Sequence, residues 1–211
     1  PVLTTTATPY NGQAGSASNV GTYAITASAV NNPNYSVIST NGTLTVNPIA
    51  LVLQANTQGG NGNPITYGTP TVLNQNASAA VNPASLAGLT NGDYINTVTV
   101  NFVNGQTSSQ TVSGATAAGT YTGGLVITPG SESGKGLSNY SITYRPGDLI
   151  ISKAVLTVTA ANDGKLVGQN DNVAANGQPG YNGVIFSGFK NGETPSSLDL
   201  SQLTVTRTNL T

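Results

Sequence analysis

The chain has no cysteine, methionine, tryptophan or histidine. Without cysteine there is no disulfide framework, so whatever folds here holds together by burial alone. Histidine and cysteine are also the commonest proton-transfer groups, thiol nucleophiles and transition-metal ligands, and their absence removes most routes to catalysis. Charge is scarce as well. Only 6% of residues are charged and the formal net charge is −1, whereas roughly a quarter of a typical soluble chain is charged. Six Lys and Arg residues cannot track a phosphate backbone or hold an anionic membrane surface. No run approaches the ~20 apolar residues of a membrane helix; the longest is Ile49-Ala50-Leu51-Val52-Leu53. Neither nucleic acid nor membrane insertion is expected. Hydration falls to Thr, Ser, Asn and Gln, which stay polar at any pH, as suits an external medium. The first residue is Pro1 and no leader pattern follows it, so the expectation is a piece of a longer secreted protein.

What the chain does contain is repetition. Gly21-Thr22-Tyr23, Asn34-Tyr35-Ser36 and Gly42-Thr43-Leu44-Thr45-Val46 recur in the same order as Gly119-Thr120-Tyr121, Asn139-Tyr140-Ser141 and Gly147-Asp148-Leu149-Ile150-Ile151. Gly88-Leu89-Thr90-Asn91-Gly92-Asp93 returns as Gly188-Phe189-Lys190-Asn191-Gly192-Glu193. A period of about 105 residues is domain-sized rather than solenoid-sized. The reading is a complete module over 49–154, flanked by the C-terminal half of a module at 1–48 and the N-terminal half of another at 155–211. The junctions Val46-Asn47-Pro48-Ile49 and Ile151-Ser152-Lys153-Ala154 carry no flexible linker, which predicts an elongated array with limited hinge freedom.

Within modules, period-two alternation dominates, as in Tyr23-Ala24-Ile25-Thr26, Val98-Thr99-Val100-Asn101-Phe102, Tyr140-Ser141-Ile142-Thr143-Tyr144 and Leu203-Thr204-Val205-Thr206. Such alternation puts one set of side chains on a core face and the other in water. Asn-Gly dipeptides recur between the strands and tolerate positive φ, so hairpin tips or loop corners are expected there. Short helices are the reading for 84–88 behind Pro83 and for 195–200, with Ser196 as cap. The fold class is mainly β.

The ordered motifs resemble the closing signature of the MBG modules, found in large bacterial surface proteins beside the related YDG modules of filamentous-haemagglutinin-type adhesins. Tyr67-Gly68 and Gly88 to Asp93 match two further family motifs; Val167-Gly168 lacks the tyrosine of the first. The resemblance implies a small β-rich module, β-grasp-like or otherwise an Ig-like sandwich, and it carries no catalytic residues. Structural roles fall to Gly21, Gly119, Tyr23 and Tyr121 at one strand start, to Tyr35 and Tyr140 at the next, and to Gly42 and Gly147 before the last strand. The tyrosine rings are expected to face a core with the hydroxyl at its rim.

No enzyme is expected. The carboxylates Asp93, Glu132, Asp148, Asp163, Asp171, Glu193 and Asp199 mostly sit in turn text, and Asp93 and Glu193 are equivalents in different modules. Calcium is the one candidate ion, at Asp163 and Asp171, where hard oxygen ligands cluster; ordinary turn chemistry explains the same residues, and no cofactor is expected. The functional expectation is a structural repeat of a secreted or cell-surface fibre or adhesin stalk, serving adhesion or a biofilm matrix. Its partners would be further modules, head to tail, with a surface glycan or host ligand beyond them. The alternative is a carbohydrate- or cell-surface-binding β module, which an aromatic-lined groove would favour.

Overall fold

The computed structural model describes residues 2–28, 31–60, 63–162, 164, 166–168 and 183–203. Asp163, Asp171, Lys165 and the stretch 204–211 therefore lie outside the described residues. The chain is mainly β, in several small sheets.

Strands β1 (Leu3–Thr5), β2 (Gly21–Ala27) and β3 (Gly42–Val46) form an antiparallel sheet with β2 in the middle. Two residues later β4 (Ile49–Gln54) begins, followed by β5 (Ile65–Thr66) and β6 (Thr71–Val72). Two single-turn helices come next, α1 (Ala77–Ala80) and α2 (Pro83–Leu86). Asn76 and Asn82 cap them by accepting from the Ser78 and Ala84 amides, and Pro83 occupies a first-turn position where its missing N–H costs nothing. Then come β7 (Tyr94–Thr97), β8 (Val100–Asn104), β9 (Thr107–Ser109), β10 (Thr111–Val112), β11 (Gly119–Ile127), β12 (Ser133–Lys135), β13 (Tyr140–Arg145) and β14 (Gly147–Ser152). Finally β15 (Thr157–Ala160) pairs antiparallel with β16 (Val184–Ser187).

The largest sheet runs β5-β14-β11-β8-β9. Two pairings are parallel: β13 lies along β4, from Tyr140 opposite Ile49 to Arg145 opposite Gln54, and β14 lies along β5. Parallel neighbours need a long crossover between them, and an Ig-type sandwich is built from antiparallel sheets. The mixed pairing thus separates the module from the Ig-like form of the expectation.

Burial divides the chain sharply. Every buried core residue falls between Leu51 and Ile151, with Leu53, Leu125 and Leu149 fully enclosed. Among the described residues no side chain of 2–48 or of 157–203 reaches that state. The middle segment has a core of its own. The flanks have strands but no interior.

Two expectations are corrected here. Residues 98 and 99 interrupt the strand read from 98 to 102, because Val98 turns inward and its amide goes to the Gln75 carbonyl instead of a neighbouring strand. Residues 195–197 form a 3-10 turn whose cap is Thr194, not Ser196; the Ser197 hydroxyl instead donates back to the Thr194 carbonyl.

Candidate functional site: a joint that occurs twice

The turn Thr90 to Asp93 closes with the Asp93 amide on the Thr90 carbonyl at 2.9 Å. Its central residues have φ of 56° at Asn91 and 73° at Gly92. That left-handed pair suits asparagine followed by glycine. The same turn stands at Lys190 to Glu193, with a 2.9 Å closing bond and φ of 53° at Asn191 and 76° at Gly192. Neither is a hairpin tip. Each is a corner pressed against the neighbouring segment of chain.

At the first joint Asn91 takes hold of the loop before β2. Its backbone carbonyl accepts from the Gly15 amide at 2.6 Å, and its side-chain oxygen accepts from the Ala17 amide at 3.2 Å. Gly92 packs directly on Ala14, leaving no space for a β-carbon. At the second joint Asn191 donates to the Gly114 carbonyl at 3.0 Å. That carbonyl also accepts from the Gly68 amide at 2.9 Å, so both its lone pairs are engaged. The Lys190 stem lies against Gly68, and the Tyr67 hydroxyl donates to Glu193 at 2.6 Å. Both loops precede a Gly-Thr-Tyr strand. In both, the tyrosine hydroxyl returns to the carbonyl four residues earlier, Tyr23 to Asn19 at 2.7 Å and Tyr121 to Ala117 at 2.9 Å. Each loop is thus held from behind by its own strand and in front by an Asn-Gly turn.

The first joint has a third arm. Asn139 is buried; it accepts from the Val20 amide at 3.0 Å and donates to Asn19 at 3.0 Å and to Asp93 at 3.3 Å. Next to it the buried Tyr140 hydroxyl accepts from the Thr90 amide at 2.8 Å and donates to the Asp93 carboxylate at 3.2 Å. The carboxylate at this turn is therefore a structural acceptor. A cleft of about 510 Å³ remains between Tyr10, Ile49, Leu89 and Tyr140. Its counterpart at the second joint, about 360 Å³, lies between Tyr67, Val155, Phe189 and Glu193.

The other sequence-predicted residues fall as follows. Gly21 and Gly119 open β2 and β11, and Gly42 and Gly147 open β3 and β14. Gly147 lies against the Ala55 carbonyl, where a side chain would collide with backbone. Tyr121 is half-buried, edge-on to Phe102 with ring centres 5.1 Å apart. Tyr23 is half-buried too, on a sheet without a core. Tyr140 is 7% exposed whereas Tyr35, its equivalent, is 75% exposed. Residues 36–40 do not form the strand their alternation predicts, because no neighbour pairs with them among the described residues.

Asp148 accepts from the Gly123 amide at 2.8 Å and so satisfies the bulge at which β11 shifts register against β14. Glu132 sits beside Tyr144, whose phenol is pushed up by burial first and by the Glu132 carboxylate second. Asp199 is exposed, and the Ser201 hydroxyl and amide hold its carboxyl below the usual range. Among the described residues no three carboxylates come together as a metal site. Sequence reasoning missed Asn139 as a joint residue; its place directly before a repeated Tyr-Ser was the available signal.

Residues 2–45 match the family model of the MBG domain (YGX type). That segment holds β1, β2 and β3, hence the front half of the first joint. Neither a curated protein nor a solved structure matches the chain.

Proposed function

We propose that the chain is a structural repeat segment of a secreted or surface-attached bacterial fibre or adhesin stalk, in which β modules follow one another head to tail. The observation that carries this reading is the recurrence of one joint at two successive boundaries, built from the same turn and the same tyrosine-anchored loop. A joint that repeats transmits the same orientation from each module to the next, which is what a stalk requires and a single binding domain does not. The MBG match over 2–45 supports it, since modules of that kind are repeat units of surface proteins. The nearly uncharged Thr/Ser/Asn surface supports it too, because hydration by neutral groups does not vary with external salt or pH. Extracellular placement, partners of the same kind and the lack of a catalytic role belong to the same proposal. Antibodies against this segment should label intact source cells or their medium. Labelling that appears only after lysis overturns the reading.

A further inference from the structure

The middle module displays both halves of a parallel pairing that the flanks display separately. In the module, β13 lies along β4 and buries Tyr140 to 7% and Leu53 completely. The equivalent of β13 is 35–40, where Tyr35 is 75% and Ile38 86% exposed. The equivalent of β4 is 154–159, where Val155 is 81% and Val158 46% exposed. Two complementary edges of one known pairing are thus open on the same chain.

Hydrogen-bond direction shows which edge of β15 is open. In the module the Asn56 amide bonds to the Ala80 carbonyl, on the side of the helices, while the Ala55 amide bonds to the Arg145 carbonyl, on the β13 side. The equivalent of Asn56 is Ala161, whose amide bonds to the Gly183 carbonyl. So β16 occupies the helix side of β15. Among the described residues nothing pairs with the other side, where the amides of Leu156, Val158 and Ala160 point. An unpaired edge bearing apolar side chains is a template for another strand.

We propose that this edge takes residues 35–40 of a second copy of the chain as a parallel strand. The claim deepens the repeat-stalk reading and rests on it. Carrying the β4–β13 pairing over fixes the register: Tyr35 opposite Ala154, Ile38 opposite Thr157 and Thr40 opposite Thr159, with the Ala160 amide on the Thr40 carbonyl. The same placement completes the second joint. Incoming Asn34 and Tyr35 enter the cleft beside Phe189 and Glu193, where Asn34 accepts from the Ala118 amide as Asn139 does from Val20. The Tyr35 hydroxyl accepts from the Lys190 amide and donates to Glu193, as Tyr140 does with Thr90 and Asp93. A second copy is the occupant because its residues 34–35 reproduce the Asn-Tyr pair that fills the first joint.

The chain has no cysteine, so an introduced pair reports a single contact. Full-length chains carrying Ile38→Cys are mixed with chains carrying Thr157→Cys and oxidised gently; side chains directly opposite each other in adjacent strands lie within disulfide reach. Both positions correspond to solvent-facing Thr143 and Val52, so the substitutions leave the buried face alone. The proposal expects an interchain disulfide with Thr157→Cys several-fold in excess of that with the shifted Thr159→Cys. Equal yields, no disulfide, or a bond within one chain carrying both cysteines overturns it. Surface labelling of intact cells with an absent crosslink would remove the strand exchange and leave the stalk reading standing.

Discussion

Asn191 donates to the Gly114 carbonyl at 3.0 Å, joining the third segment of the chain to the second as Asn91 joins the second to the first. The residue type follows from two demands at one position. The turn needs positive φ, which asparagine tolerates better than other side-chain-bearing residues, and the joint needs an amide to bridge backbone groups.

Asn191→Ala should therefore be costly for the joint and nearly silent for the core. Losing the bond costs about 1 kcal/mol and forcing alanine left-handed about 1–2 more, all at the second boundary. Hydrogen exchange should rise at 114 and 190–193 while Leu53 and Leu125 amides keep their protection. Asn191→Gly should relieve the backbone part alone. A loss of protection throughout the core would mean that the joint and the module are one cooperative unit.

The repeated tyrosines should not be energetically equivalent. Tyr121→Ala removes an edge-on partner of buried Phe102 and should cost about 3 kcal/mol, the low end for large aromatic truncations. Tyr23→Ala, on a sheet with no core behind it, should cost about 1 kcal/mol through its lost hydroxyl bond. Ser108→Ala, exposed on β9, should stay within about 0.5 kcal/mol. Denaturant titration of the three variants separates them, and equal losses for the two tyrosines would deny that burial is confined to 51–151.

Gly147→Ala should be far worse than Gly105→Ala. A β-carbon at Gly147 meets the Ala55 backbone, while one at Gly105 meets nothing and pays only for φ of 61°, about 1–2 kcal/mol. Thermal unfolding should show a large drop for the first variant and a modest one for the second.

Stability should be flat from about pH 5 to about pH 9, where a chain without His or Cys titrates little. The alkaline side differs. Tyr144 is held protonated in the fold by burial and then by Glu132, so above about pH 10 the unfolded chain releases that proton first. Unfolding then gains free energy, and stability declines as pH rises through the raised value. Tyr144→Phe should shrink the decline relative to the parent chain; an unchanged alkaline profile would place the titrating group elsewhere.

The order of motifs carried most of the organisation. Alternation found β2, β13 and β14, the Gly-Thr-Tyr text marked two equivalent strand starts, and Pro83 flagged α2. Local pattern could not reveal that β4 and β13 pair in parallel, since about 85 residues of crossover separate them and pairing is a non-local property. α1 escaped because Ala77-Ser78-Ala79-Ala80 shows a single turn and no stripe. Tyr35 and Tyr140 sit in nearly the same words, yet one is exposed and the other buried. The difference is the partner strand, which no local window contains. The joint was half legible: positive φ at Asn91 was foreseen, while its grip on 15–17 depends on tertiary approach.

The central claim is that one joint, repeated, sets modules in series. Its most direct measurement is the maximum dimension, by small-angle X-ray scattering or electron microscopy, of tandem constructs carrying one, two and four copies of the chain. The account predicts rods whose length grows linearly with copy number by a constant increment, and whose spread of shapes widens when Asn91 and Asn191 are both changed to glycine. Compact particles whose dimension grows only as the cube root of mass, or beads whose spread is unchanged by those substitutions, would contradict it.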